Sequence, residues 1–262
     1  MSIYNIHNTR GISPLILNPS EENEIYKLSE LSSKLLGCFN LSDKQIFQIS
    51  YYILSLKKEN EKINLTAIKE DKEIIIKHFY DSIYPIYFNK LFDEGKKVVD
   101  IGTGAGFPGI PLKIVYNEKE FLLLDTTGKK LNFIEKNIDL LKLEKIETLN
   151  VRAEEKAKDL NYRQQFDYAI SRAVAPLNIL LEYCTPYIKK SGYFIAYKSI
   201  KSKEEIDLCE NAFKKLSLTL FRSIEYELPE EKGKRNLVII RKEDNTKKEY
   251  PRNNSQIKKK PL

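Results

Sequence analysis

The stretch Lys96-Lys97-Val98-Val99-Asp100-Ile101-Gly102-Thr103-Gly104-Ala105-Gly106-Phe107-Pro108-Gly109-Ile110-Pro111 decides the fold. Val98, Val99 and Ile101 make a short buried strand around an acid, and that strand runs directly into a glycine-dense turn. Glycines at 102, 104 and 106 let the backbone take positive φ and bring bare N–H groups against a ligand, while the following helix start favours negative groups. The spacing is Asp-x-Gly-x-Gly-x-Gly. A dinucleotide fingerprint, Gly-x-Gly-x-x-Gly, would need glycine at 107, where Phe107 stands. The turn therefore points to a nucleotide-type cofactor, and to S-adenosylmethionine rather than NAD.

Downstream of this turn, strand-like apolar runs alternate with helical patterns. The runs are Val98–Ile101, Phe121–Asp125, Ile146–Val151, Phe166–Ser171, Tyr193–Lys198, Thr219–Leu228 and Asn236–Arg241. Alternation predicts parallel strands joined by helices, with the cofactor outside the strand C-termini. No helix separates the last two runs, so they are expected to pair as an antiparallel hairpin at the sheet edge. Upstream, apolar residues at helical spacing (Ile25, Leu28, Leu31, Leu35; Ile46, Ile49, Ile53, Leu56; Ile74, Ile75, Phe79, Ile83) predict three helices, the first two capped by Ser20 and Ser42. The expected class is α/β, a Rossmann-like, mostly parallel seven-stranded sheet with an N-terminal helical cap. The expected segments are a flexible arm (1–19), the cap (20–95), the cofactor-binding domain (96–241) and a basic tail (242–262). The tail is read as disordered, or as an arm that grips phosphates.

A chain of 262 residues with 42% hydrophobic content can bury one sizeable core. Its +7 net charge suits a polyanionic partner. Cys38, Cys184 and Cys209 are widely spaced and odd in number, which suits a reducing compartment and supplies no metal site. Neither a leader pattern nor a membrane-length apolar run is present in the sequence, so a soluble cytoplasmic protein is expected, and nothing demands more than a monomer.

Several residues then fall at strand ends, where such a cofactor would sit. Asp125 ends the second strand and can accept hydrogen bonds from both ribose hydroxyls, or cap the next helix. Arg152-Ala153-Glu154 ends the third, where Ala153 leaves room for an adenine and Glu154 can read its amine; a solvated charged turn is the alternative. Arg172 ends the fourth, beside the point of methyl delivery, where it can orient acceptor, phosphate or cofactor, or form a structural ion pair. No Asp/Asn-Pro-Pro-aromatic segment or Cys nucleophile stands there. An acceptor that needs no base, such as guanine N7 with its exposed lone pair, meets that description. His78, with Asp81 three residues on, and the Asn64-Leu65-Thr66 turn read on their own as structural, a packing or capping contact and a helix start, with a functional site as the alternative.

Together these segments resemble the bacterial ribosomal RNA small subunit methyltransferase G family, also called glucose-inhibited division protein B. The resemblance runs through Ile63-Asn64-Leu65-Thr66, His78-x-x-Asp81-Ser82, the Asp100–Pro111 stretch, Leu124-Asp125 with Lys129-Lys130, Arg152-Ala153-Glu154, Ser171-Arg172-Ala173-Val174-Ala175 and Gly192 to Lys198. It implies transfer of a methyl group from S-adenosylmethionine to N7 of one guanine in the decoding-centre loop of 16S rRNA, with the RNA or a small-subunit assembly intermediate as partner. It implies cofactor contacts at Gly102, Phe107, Ala153, Glu154 and Arg172, and Asp125 matches the usual ribose ligand of the fold; Gly104 and Gly106 are expected to join them as part of the turn, and the guanine is expected at the opening beside Arg172, His78 and Asn64. Departures occur at Glu59-Asn60, where the family often has Trp-Asn, and at Lys130, often Arg. Two rivals remain open on the sequence: a NAD-dependent oxidoreductase, and a ribosome-assembly factor with a vestigial pocket.

Overall fold

A computed structural model describes residues 17–200 and 202–262. Four helical segments come first: α1 (Pro19–Leu36), α2 (Asp43–Asn60), α3 (Asp71–Ile74), which widens into a π turn over Ile75–Tyr80, and α4 (Asp81–Phe88). Then β1 (Lys97–Ile101), α5 (Gly109–Val115), β2 (Glu120–Asp125), α6 (Gly128–Leu141), β3 (Ile146–Asn150), α7 (Ala153–Lys156), β4 (Phe166–Arg172), α8 (Leu177–Cys184) and β5 (Ile188–Ser199) alternate. Two short helices, α9 (Ser202–Asp207) and α10 (Glu210–Leu216), precede β6 (Leu218–Glu227), β7 (Lys234–Lys242) and α11 (Asn254–Lys259).

The sheet order is β3-β2-β1-β4-β5-β7-β6. The first five strands pair in parallel, and β7 inserts antiparallel between β5 and β6. The expected antiparallel pair is therefore present, with β6 alone on the edge. Strand order reverses between β1 and β4, which opens a crevice beyond their C-terminal ends.

Side chains alternate across the sheet with period two, as buried strands require. Val98, Leu123, Ile170, Ile195 and Ile239 face a core built with α1 to α6. Val99, Leu122, Ala169, Phe194 and Val238 face a second core built with α7 to α11. The helical cap shares the first core rather than forming its own. Gln45 donates to the Ile114 carbonyl, Gln48 to the Leu141 carbonyl and Tyr52 to the Ala105 carbonyl, which fixes α2 against α5, α6 and the glycine turn.

Helix starts follow capping chemistry. Ser42 and Gln45 form the reciprocal box expected for α2. For α1 the cap is Asn18 rather than Ser20: the chain enters through Pro19, so the side chain before it is the one placed to accept from the Glu21 amide at 3.0 Å. Residues 1–16 of the expected arm lie outside the described residues.

The tail corrects the expectation of disorder. Its mean composition is polar, yet Tyr250, Ile257 and Leu262 are buried apolar anchors. Arg163 gathers the carbonyls of Ala157, Thr246, Lys247 and Tyr250 at 2.9–3.3 Å. Arg252 forks onto Glu182, a fully buried carboxylate of α8, with Nε and Nη2 at 2.7–3.1 Å. Lys242 is buried too, its ammonium bonded to the Thr185 and Ile188 carbonyls; burial, and then the nearby Arg163 charge, lower it to about 7. Among the described residues no helix is long and apolar enough to cross a membrane, and no cluster of His, Cys, Asp or Glu is placed to hold a metal.

Candidate active site

The glycine turn is held from beneath by a buried acid. Asp100 Oδ2 accepts from Thr103 Oγ1 at 2.7 Å and from the Gly109 amide at 3.0 Å, so one carboxylate pins both ends of the turn. Burial raises its pKa to about 7, against the lowering effect of those hydrogen bonds. The Gly102 and Thr103 amides both donate to the Leu124 carbonyl at 2.9 Å, which ties the turn to β2. Gly104 has φ +59°, and a Cβ there would meet nothing within 4 Å. Gly106 has φ +86°, and a Cβ there would lie 2.5 Å from the Tyr52 hydroxyl. These two glycines do different jobs: Gly104 leaves open space on the cavity side, whereas Gly106 admits α2.

Asp125 sits at the end of β2 facing the turn. One of its oxygens accepts from the Gly104 amide at 2.9 Å and the other from the Thr127 amide at 2.8 Å. It therefore braces the turn and the entry to α6, and each oxygen keeps a second lone pair for a hydroxyl. Glu154, in the first turn of α7, is 5% exposed, and its Oε1 has no hydrogen-bond partner. That burial is inconsistent with a solvated charged turn. An orphaned buried acceptor on a cavity wall calls for a donor such as an amine.

At the end of β4, Arg172 reaches back to the cap through Nη1. It bonds Asp81 and Ser82 Oγ at 3.1 Å and the Lys77 and His78 carbonyls at 3.4 Å. Asp81 also accepts from Tyr226 at 2.8 Å. Arg172 lies over the Phe107 ring, 5.4 Å from its centroid, and the His78 ring stacks on the same phenyl at 4.5 Å and 17°. His78 Nε2 bonds Thr66 Oγ1 at 2.8 Å, so its partner is Thr66 rather than the sequence neighbour Asp81. Burial and then the Arg172 charge depress the imidazole to about 3, which keeps it neutral.

Around these residues lies a cavity of about 490 Å³, within the roughly 300–1,000 Å³ usual for small-molecule sites. Gly102, Gly104, Phe107, Asp125, Ala153 and Glu154 line it, together with Arg172 and His78. Two of the sequence-derived candidates are placed elsewhere. Gly106 is not a lining residue, because its amide turns inward to the Thr103 carbonyl. Asn64 is exposed and away from the wall; Leu65 lines it instead, and the turn is organised by Asn60, which accepts from the Leu65 and Thr66 amides. Sequence reasoning also missed Tyr183, Asn254 and Lys258, which line the same cavity. An acid such as Glu182 inside the apolar run of α8 was the available hint that a cation from elsewhere docks there.

Acceptors suited to a ribose and an amine, an open floor at Gly104 and a cavity at the strand switch point fit S-adenosylmethionine. The fold and site define a class I S-adenosylmethionine-dependent methyltransferase. The same fold occurs in a putative O-methyltransferase from Klebsiella pneumoniae (TM-score 0.56, 13% identity, 84% of this chain and 99% of that one). It also occurs in the cofactor-bound Rv0187 from MTB (TM-score 0.55, 14% identity, 87% and 99%). Residues 45–238 match the family described as rRNA small subunit methyltransferase G. Relatives of that name include one from Thermoanaerobacter sp. strain X514, 46% identical over 212 residues (81% of this chain, 88% of the relative). Another, from Clostridium tetani, is 47% identical over 211 residues (80% and 88%). The chain belongs to the rRNA small subunit methyltransferase G family.

Proposed function

We propose that this enzyme methylates N7 of a single guanine in the decoding-centre loop of 16S rRNA, presented on the RNA or on a small-subunit assembly intermediate, and that it works in the cytoplasm as a monomer. The observation that carries the choice of acceptor is the chemistry at the β4 end of the cavity. Arg172 is a permanent cation, Phe107 is apolar, and His78 is a neutral imidazole too weakly basic, at about 3, to remove a proton at neutral pH. The two lining acids, Asp125 and Glu154, belong to the β2 and β3 ends. An acceptor that must lose a proton is poorly served there, whereas guanine N7 attacks with a free lone pair.

Bound S-adenosylmethionine supplies an electrophilic sulfonium methyl. The residues' own work is alignment. In this reading Asp125 holds the ribose hydroxyls, Ala153 makes room for the adenine, Glu154 accepts from its amine, and Gly102 and Gly104 let the backbone approach closely. Phe107 gives Arg172 and His78 a common surface to rest on. Arg172, braced by Asp81, positions the acceptor base or its phosphate.

Mass spectrometry of 16S rRNA from cells lacking the gene tests the proposal. Loss of one 7-methylguanine per molecule is expected. An unchanged content contradicts it.

A further inference from the structure

The C-terminal tail is a lysine-rich segment that leaves the sheet at Lys242 and returns to the cofactor cavity. Three fixed points hold its course: the Thr246, Lys247 and Tyr250 carbonyls gathered by Arg163, the Arg252–Glu182 fork, and a 2.7 Å hydrogen bond from the Tyr183 hydroxyl to Asn254 Oδ1. The last of these sets the first residue of α11 against α8, which also packs on α7, the helix that carries Glu154. Asn254 and Lys258 are four residues apart, hence on one face of α11, and both line the cavity together with Tyr183 and Glu154.

We infer that the tail is the closing wall of the cofactor site, with the Asn254 amide and the Lys258 ammonium supplying hydrogen-bond donors to the adenine end of S-adenosylmethionine. The inference rests on the methyltransferase reading and adds a binding element to it. Adenine offers one donating group, its exocyclic amine, and several ring nitrogens that only accept. Glu154, with its orphaned buried oxygen, suits the first and cannot serve the second. With Asn254 Oδ1 turned toward the Tyr183 hydroxyl, Nδ2 is the group of that side chain that can donate; Lys258 can only donate. Acceptor and donors from two distant parts of the chain thus meet in one cavity, in the combination adenine requires. Lys259, one position on, is exposed and lines no part of the cavity, which separates the tail's two possible uses.

The test uses the full chain and isothermal calorimetry with S-adenosylmethionine, alongside binding of 16S rRNA at saturating cofactor. Asn254→Asp keeps the acceptor for Tyr183 and suits the first turn of a helix, but replaces the donor by an acceptor. It is expected to raise the cofactor Kd about tenfold or more. Lys258→Ala is expected to raise it several-fold, with Lys258→Gln recovering part of the loss and Lys259→Ala leaving it unchanged. Unliganded melting temperatures within a degree or two of the parent show that the strap itself is still docked. A cofactor Kd within twofold of the parent in both Asn254→Asp and Lys258→Ala overturns the inference, as does an effect on rRNA affinity alone. Failure of the parent chain to bind S-adenosylmethionine would instead overturn the methyltransferase reading beneath it.

Discussion

Arg252→Ala isolates what holds the C-terminal strap. Glu182 is 0% exposed, and its carboxylate receives three charge-assisted hydrogen bonds from the Arg252 guanidinium and one from the Arg252 amide. Truncation removes the first three and leaves a buried carboxylate with a single backbone donor. Breaking a buried pair this way costs about 3–5 kcal/mol, and the low end applies because the Arg252 side chain is 21% exposed, so water can enter after it is removed. About 3 kcal/mol in a chain of this size corresponds to a Tm fall of roughly 6–12 °C, read by circular dichroism. The cost should lie in the uncompensated charge rather than in the lost contact. Glu182→Met combined with Arg252→Met is therefore expected to recover most of the loss, since well-packed apolar replacements of buried pairs are often neutral. A Tm shift below 2 °C for Arg252→Ala would refute the assignment of this pair as the strap's anchor, and a double variant as unstable as the single would refute the charge argument.

Other consequences follow from the same geometry. Gly104→Ala and Gly106→Ala both place a side chain at positive φ, a strain of about 1–2 kcal/mol, but only the second also drives a Cβ into Tyr52 and Ile110. Thermal melts should therefore fall further for Gly106→Ala, whereas calorimetry should show the larger loss of S-adenosylmethionine affinity, relative to stability, for Gly104→Ala; the reverse order contradicts the placement. Asp100, raised by burial from 3.8 to about 7, binds a proton in the folded state that the unfolded chain has lost, so its contribution makes stability fall as pH rises from about 4 to 7. Asp100→Asn should remove that downward slope in urea midpoints measured across the window, and an unaltered slope would count against it. His78 works in the opposite direction, because a folded pKa near 3 against an ordinary 6.5 makes stability fall as pH drops through 6.5 toward 3. Its ring carbon and nitrogen NMR shifts should stay those of a neutral imidazole at pH 5, and a transition near 6.5 would show that the ring is not buried as described.

What the sequence made legible was whatever depends on periodicity and on position at strand ends. The parallel sheet and its antiparallel edge follow from the alternation, and Asp125, Glu154 and Arg172 meet in one cavity because Asp125 and Arg172 end β2 and β4 and Glu154 stands in the helix that follows β3. Side-chain partnerships across the chain were not legible. His78 and Asp81 are spaced like a helical pair, yet the π turn and the β4 terminus send them to Thr66 and Arg172 respectively. Asn64 stands in the motif, but Asn60 bonds the turn's amides, because hydrogen-bond direction is not written in spacing. The tail misled through its average: three buried apolar anchors and a forked arginine are too sparse to shift the mean composition, but each meets a prepared partner on the domain. Gly106 shared the turn's pattern while serving the contact with Tyr52 rather than the ligand.

Methyl transfer with defined components tests the choice of guanine N7 most directly. Purified chain is incubated with methyl-labelled S-adenosylmethionine and small subunits from cells lacking the gene, and the 16S rRNA is digested to nucleosides. The expected result is one label per rRNA, all of it in 7-methylguanosine, with no dependence on a titrating His78 between pH 6 and 8. Label in any other nucleoside, or no transfer by a chain that binds the cofactor, would contradict it.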